Sequence, residues 1–252
     1  MSSLWSDPGC ASYGVPMTSR LLAVTFDAHD PDRLARFWAG LLDRDVLGDA
    51  DGVLLPGDDT QVGLRFAPSR AGRRQPNRLH LHLTSAGSTQ ETVVAKAVGL
   101  GARHLDVGQL PEEPHVVLGD PEGNEFCVIP PGNSFLAGCG VLGEVACDGI
   151  RAVGLFWGEA LGWPLVWDEN EETAVQSPRG GTKVAWGGPP VAPLEMPARQ
   201  WFELLAGADS GAEVERLVSL GARRVSERDD GVVILTDPGG HEFRLRPRRP
   251  AA

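Results

Sequence analysis

The chain has 252 residues, and its 23 Lys or Arg against 34 Asp or Glu residues give a formal net charge of −11 at pH 7. With 42% hydrophobic and 23% charged residues, the composition is that of a globular protein and excludes a disordered chain. The acidic balance also excludes general binding to nucleic acids or acidic membranes, because both require a basic surface. We therefore expect neither a nucleic acid nor a membrane as partner.

The sequence carries no targeting or metal-binding cysteine pattern. No run reaches the roughly 18 apolar residues of a membrane span, and the first residues lack a basic patch followed by an apolar stretch. Four cysteines (Cys10, Cys127, Cys139 and Cys147) form neither a C-x-x-C pair nor a zinc-ligand spacing. Free thiols of this kind predict a reduced, cytoplasmic protein.

The first elements follow the order strand, helix and three strands. Residues 21–26 read as a strand, after which Asp30 as N-cap and Pro31 as first helical residue open a helix. Its apolar side chains recur at helical spacing, at Leu34, Phe37, Trp38, Leu41 and Leu42. Three short apolar runs separated by Gly and Asp turns then predict three strands. The same βαβββ order restarts with the strand at residues 79–84.

The whole pattern occurs twice along the chain. Residues 117–130 match residues 234–247, Leu-Gly-Ala-Arg recurs at 100–103 and 220–223, and Phe37-Trp38 recurs as Phe156-Trp157. Three ordered matches indicate a tandem duplication. We therefore predict a mobile tail over residues 1–16, one domain over 17–131, a linker over 132–138 and a second domain over 139–248.

The repeat predicts an α+β fold built from four βαβββ modules. The helix of each module covers only one face of a small curled sheet, so each module needs a partner. Two modules side by side would leave the open faces of their sheets lining a cleft, with the helices outside.

Three segments resemble the glyoxalase-like branch of the vicinal oxygen chelate superfamily, which also includes bleomycin-resistance proteins and dioxygenases. They are Asp-Pro-x-x-Leu-Ala-Arg-Phe-Trp at 30–38, Leu-Gly-Ala at 100–102 and Asp-Pro-Glu-Gly-Asn-Glu-Phe at 120–126. The resemblance implies that the two modules of each domain form one U-shaped mixed sheet around a cleft that holds a small-molecule ligand. It leaves two activities open, namely a divalent-metal-dependent lyase, isomerase or dioxygenase, and a metal-free protein that binds an antibiotic or aromatic metabolite. We expect a monomer or a homodimer.

In metal-dependent members of this superfamily, the resemblance implies ligands on the first and last strands of each module. In the first domain these positions hold His80 and Glu125, whereas the first module offers Thr25 where a histidine is expected. His82 shares the strand face of His80, and Cys127 shares the face of Glu125. We therefore predict a site for Zn, Ni, Fe or Mn at His80, His82 and Glu125, with Glu125 as ligand or proton shuttle. The alternative is a metal-free hydrogen bond between His80 and Glu125.

The second domain has lost most of these candidate ligands. Trp201 and Glu203 occupy the positions of His80 and His82, and Glu242 shares its strand face with Arg244. Its first strand offers a further carboxylate. One interpretation is a degenerate structural copy, and another is a pocket walled by Trp163, Trp167, Trp186 and Trp201. The predicted pocket residues across both domains are Thr25, His80, His82, Glu125, Cys127, Glu144, Trp201, Glu203, Glu242 and Arg244.

Overall fold

The computed structural model describes residues 19–72, 77–85, 87–110, 112–191 and 199–248, so the predicted tail over 1–16 lies outside the described residues. The first repeat contains β1 (Arg20–Ala28), α1 (Pro31–Leu42), β2 (Leu47–Asp49), β3 (Gly52–Leu55), β4 (Gly63–Pro68), β5 (Leu79–Thr84), α2 (Gln90–Leu100), β6 (Arg103–His104), β7 (Val116–Gly119) and β8 (Glu125–Ile129). The second contains β9 (Leu142–Cys147), α3 (Arg151–Leu161), β10 (Leu165–Glu169), β11 (Glu172–Gln176), β12 (Lys183–Trp186), β13 (Gln200–Leu205), α4 (Ser210–Ser219), β14 (Arg223–Glu227), β15 (Val233–Thr236) and β16 (Glu242–Arg246).

The described strands form two eight-stranded mixed sheets. The terminal sheet has the order β14-β15-β16-β13-β1-β4-β3-β2 and unites the first and last modules of the chain. The central sheet has the order β10-β11-β12-β9-β5-β8-β7-β6 and unites the second and third modules. The α+β class, the four βαβββ modules and the tandem duplication are thus confirmed.

The choice of partner modules differs from the expectation that the two modules of one domain share a sheet. Each repeat instead gives one module to each sheet, because β1 pairs antiparallel with β13 and β5 pairs antiparallel with β9. The short connection between β8 and β9 brings the third module directly beside the second. Each cleft is therefore lined by residues of both repeats.

The two modules of one repeat contact each other through a buried tryptophan. The Trp38 indole on α1 donates a hydrogen bond of 3.2 Å to Asp120 in the turn before β8, and its ring packs against Phe126. In the second repeat, Trp157 donates to Asp237 at 3.1 Å. These contacts explain why the Phe-Trp and Asp-Pro segments recur together. They also confirm that Phe37-Trp38 and Phe156-Trp157 belong to the core, where each side chain is at most 4% exposed.

The N-terminus of α1 forms as predicted, since the Asp30 side chain accepts a hydrogen bond from the Arg33 backbone N–H and Pro31 begins the helix. Across the described parts of the chain, no helix combines the length and the apolar character needed to cross a membrane.

Candidate functional site

The predicted pocket residues lie on the concave faces of two different sheets. The central sheet carries His80, His82, Glu125, Cys127 and Glu144, and the terminal sheet carries Thr25, Trp201, Glu203, Glu242 and Arg244. Pairing across the repeats therefore brings Glu144 of the second repeat beside the histidines of the first. It likewise places Thr25 opposite Trp201.

A row of four chemically different side chains crosses the middle of the central sheet. Cys127, His82, Glu144 and Lys183 are successive register partners on β8, β5, β9 and β12. His82 Nδ1 lies 2.7 Å from Glu144 Oε2. A thiol, an imidazole, a carboxylate and an ammonium group thus stand side by side on one face.

The protonation state of His82 follows from this row. Burial by itself would lower its pKa, but hydrogen bonds to Cys127 and Glu144 and the negative charge of Glu144 raise the pKa to about 10. His82 is therefore an imidazolium at neutral pH, and its cation is paired with Glu144.

The predicted histidine ligands are each engaged by a protein group. His82 Nδ1 lies 2.7 Å from Glu144 Oε2, so this nitrogen is already partnered. His80 Nε2 lies 2.7 Å from the Asn77 carbonyl oxygen, so this nitrogen donates a hydrogen bond, and the lone pair of the uncharged ring is then on Nδ1. Within the described ranges, no three His, Cys, Asp or Glu side chains come together as a possible metal site.

The concave face of the central sheet opens into a cleft of about 760 Å³. His80, His82 and Glu144 lie at one side of this cleft, and aromatic walls come from Trp167 on β10 and Phe135 in the connection between the repeats. The sequence anticipated Trp167 and Trp186 as lining residues, whereas others such as Phe135, Ala146 and Ala185 were missed. The alternation of side chains along a strand predicts which sheet face a residue occupies. It does not predict which strand lies beside it, so the members of the cleft could be predicted only in part.

Phe135 is held in place by two partners. Its ring packs edge-on against Trp167 at a centroid distance of 5.9 Å. The Lys183 ammonium lies 4.0 Å from the ring centroid and donates a short hydrogen bond to the Phe135 carbonyl oxygen. The predicted linker therefore forms part of the cleft wall.

The corresponding face of the terminal sheet is filled by ion pairs. Glu203 is 1% exposed and accepts hydrogen bonds from Arg65 at 2.7 Å and from Arg246 at 2.5 Å. Arg65 also contacts Asp49 at 2.7 Å, and Arg246 contacts Asp51 at 2.7 Å. Carboxylates of the β2–β3 hairpin thus complete an ion-pair network around the buried Glu203, on the face that corresponds to the cleft.

The remaining predicted residues of the terminal sheet belong to the same packed face. The Arg244 guanidinium lies 3.7 Å from the Trp201 ring centroid and 3.1 Å from Glu242. Trp201 is 4% exposed and Thr25 is fully buried.

Of the other tryptophans proposed as pocket walls, Trp186 lines the cleft although it is only 1% exposed, and Trp163 packs against the core. Only Trp167 among the four projects substantially into solvent, at 38% exposure.

The fold and family are independently supported by comparison with known proteins. Glyoxalase I from Zea mays superposes with a TM-score of 0.59 and 13% identity, over 90% of this chain and 92% of that chain. A putative dioxygenase from Bacillus subtilis superposes with a TM-score of 0.61 and 14% identity, over 93% of this chain and 86% of that chain. At these identities the likeness establishes the fold alone. Comparison with curated proteins gives no match.

The sequence model of the glyoxalase-like domain matches residues 23–129 and again residues 144–246. The two matches cover both repeats and most of the chain. The protein therefore belongs to the glyoxalase-like family of the vicinal oxygen chelate superfamily and contains two tandem copies of its domain.

Proposed function

We propose that this protein binds a small organic molecule in the cleft of the central sheet without a metal ion. The observation that carries the proposal is the open cleft of about 760 Å³. Small-molecule sites in proteins are concave, largely apolar and of roughly 300–1,000 Å³. This cleft combines apolar walls with polar groups at His80, Glu144 and Lys183, which would orient a ligand.

The metal-free form of the function is favoured by the contacts of His82. Its ring is already paired with Glu144 and Cys127. A divalent ion would have to displace the proton of His82 from a strong ion pair. Binding and sequestration of a ligand, as in the antibiotic-binding members of the superfamily, need no such displacement.

One site for each chain is favoured over two. The terminal sheet fills its own concave face with the network around Glu203, which leaves the central sheet as the ligand-binding face. This assignment agrees with the hypothesis of a degenerate copy, with the difference that each cleft combines modules of both repeats.

The proposed function is tested by screening a panel of small metabolites and antibiotics against the intact protein. We expect at least one compound to raise the melting temperature and to change tryptophan fluorescence, because stabilisation follows from binding to the folded state. The fluorescence change should disappear in Trp167→Phe, whereas the melting shift should persist in reduced form. A panel that produces neither effect would contradict the proposal.

The metal-dependent enzyme remains the competing function and has its own test. Elemental analysis of protein purified without chelators should find far less than one equivalent of Zn, Ni, Fe or Mn. Near-stoichiometric metal that is lost in both His80→Ala and Glu125→Gln would replace our proposal with the predicted ligand set of His80, His82 and Glu125.

We further infer a cytoplasmic protein, because Cys127, Cys139 and Cys147 are all free thiols. Whether the protein is a monomer or a homodimer is measured directly by light scattering.

A further inference from the structure

Small residues adjoin on neighbouring strands in the floor of the central cleft. Ala174, Ala185 and Ala146 are successive register partners on β11, β12 and β9, with Trp167 at one end of the row and His80 at the other. Ala174 is fully buried, whereas Ala185 and Ala146 are partly exposed and line the cleft. The exposed part of the floor is therefore formed by two alanines on strands about 4.8 Å apart.

In the equivalent row of the terminal sheet, larger side chains stand at the positions of these alanines. There the successive partners are Leu54, Arg65 and Thr25, followed by Trp201. Every one of the three alanines is thus replaced by a larger side chain. In that sheet Arg65 is 3% exposed and Thr25 is fully buried, so no comparable floor remains.

The walls around the alanine floor are aromatic. Trp167 is the register partner of Ala174, and the Phe135 ring packs against Trp167. The Lys183 ammonium group lies over the Phe135 ring. Both rings are already positioned by their protein contacts, so little side-chain entropy is lost when a ligand packs against them.

Resting on the proposed function, we propose that the ligand of this cleft is a planar, fused-ring aromatic molecule whose face lies on Ala146 and Ala185 and whose edge meets Trp167 and Phe135. Dispersion attraction falls steeply with a gap of even 0.5–1 Å. A flat ring contacts the whole floor, whereas a puckered saturated ring of the same size touches it only in part. The row from Trp167 to His80 spans four strand spacings of about 4.8 Å, which leaves room for two fused rings.

The test compares planar probes with their saturated counterparts on the intact protein. The first pair is 2-naphthoate and decahydro-2-naphthoate, and the second is 2-naphthylmethylamine and its decahydro form, so that both ligand charges are represented. Isothermal titration should show that the planar member of at least one pair binds about tenfold or more tightly than its saturated partner.

Equal or tighter binding of the saturated members overturns the inference while leaving the proposed function intact. Binding of neither pair, when some other compound of the panel binds, also overturns the inference alone. If no compound of any kind binds, the proposed function fails together with the inference.

Variants of the floor make the test specific to the site. Ala185→Leu should weaken binding of the planar probe by about tenfold or more, because the branched side chain covers the floor. Ala152→Leu on the exposed face of α3 is the matched control and should leave the affinity unchanged. Undiminished binding to a folded Ala185→Leu protein would overturn the assignment of the floor.

Discussion

His82 shows how neighbours decide the chemistry of a single side chain. Its position on β5 puts it between Cys127 on one neighbouring strand and Glu144 on the other. Burial opposes its charge, yet both neighbours stabilise the protonated ring. A histidine that strand parity suggested as a metal ligand is here held in an ion pair with Glu144.

This pair makes stability depend on pH in the alkaline range. The folded pKa of about 10 lies above the ordinary value of 6.5, so the folded state binds the proton more tightly than the unfolded state. The stabilisation is fully present below about pH 6.5 and is lost as the pH rises through 10. Urea unfolding at pH 7, 8.5 and 10 should show a falling unfolding free energy.

The control for this pH dependence is His82→Gln, which keeps a polar side chain but cannot titrate. It should be less stable than the parent at pH 7 and should lose less stability between pH 7 and pH 10. Lys183, Glu144 and Cys127 face the same histidine, and all remain in this variant. Parallel pH profiles of the two proteins would show that His82 does not carry the effect.

The Glu203 carboxylate holds together the charges of the terminal sheet. Replacing it in Glu203→Gln leaves Arg65 and Arg246 without their shared buried anion, so we expect a loss of about 3 kcal/mol in the unfolding free energy. The exposed pair of Arg179 and Asp59 offers the matched control, and Asp59→Asn should change stability by less than about 1 kcal/mol. Similar losses in both variants, measured by urea unfolding, would argue against the network.

At the scale of single residues, the sequence predicted which face of the sheet a side chain occupies, but not which residues lie beside it on the neighbouring strands. Strand parity correctly placed His80 and His82 together on a concave face, opposite the leucines of β5, which are at most 9% exposed. It did not identify Glu144 as the partner of His82, because that contact depends on which strand lies beside β5. Phe135 was also missed, since its segment has the composition of a linker.

At the scale of elements, the repeated helices are tied to the turns of the next module. The Asp120 carboxylate accepts hydrogen bonds from the Glu122 and Asn124 backbone N–H groups as well as from the Trp38 indole. Burial raises the pKa of Asp120, although the hydrogen bonds from its neighbours oppose this shift. These hydrogen bonds therefore give the buried Asp120 carboxyl group its partners, and the one from Trp38 holds α1 against the second module.

Removing the indole donor tests this tie. Trp38→Phe keeps most of the ring packing but removes one hydrogen bond to a buried carboxylate, so we expect a loss of about 1.5–3 kcal/mol in the unfolding free energy. Trp167→Phe, at a tryptophan that is 38% exposed, should have little effect and serves as control. Equal stability of Trp38→Phe and the parent in urea unfolding would show that the contact is not stabilising.

Single helices and strands were more predictable than the pairing of the modules into sheets. The predicted strand at residues 79–84 coincides with β5, and the helix opened by Asp30 and Pro31 forms as expected. Local periodicity and capping specify such segments. The pairing of modules is not local, because the edges of all four modules carry similar apolar patterns, and either choice of partner would bury them.

At the scale of the whole molecule, pairing across the repeats makes each domain dependent on the other. The strands β1 and β5 both belong to the first repeat, and each is hydrogen-bonded along one side to a strand of the second. The two clefts are related by the duplication, yet one has alanines in its floor while the other is filled by Arg65 and Trp201. The same fold thus carries an open face in one sheet and a filled face in the other.

This dependence predicts the behaviour of the first repeat in isolation. A fragment of residues 17–138 would expose the edges of β1 and β5 at once, and open strand edges associate readily. The module containing β1 in one copy can pair with the module containing β5 in another, so we expect a dimer or larger assembly instead of a soluble monomer. Light scattering of the fragment beside the intact chain measures this. A monomeric fragment with cooperative urea unfolding would mean that the two modules of one repeat can pair with each other, as the sequence first suggested, and that pairing across the repeats is not required for folding.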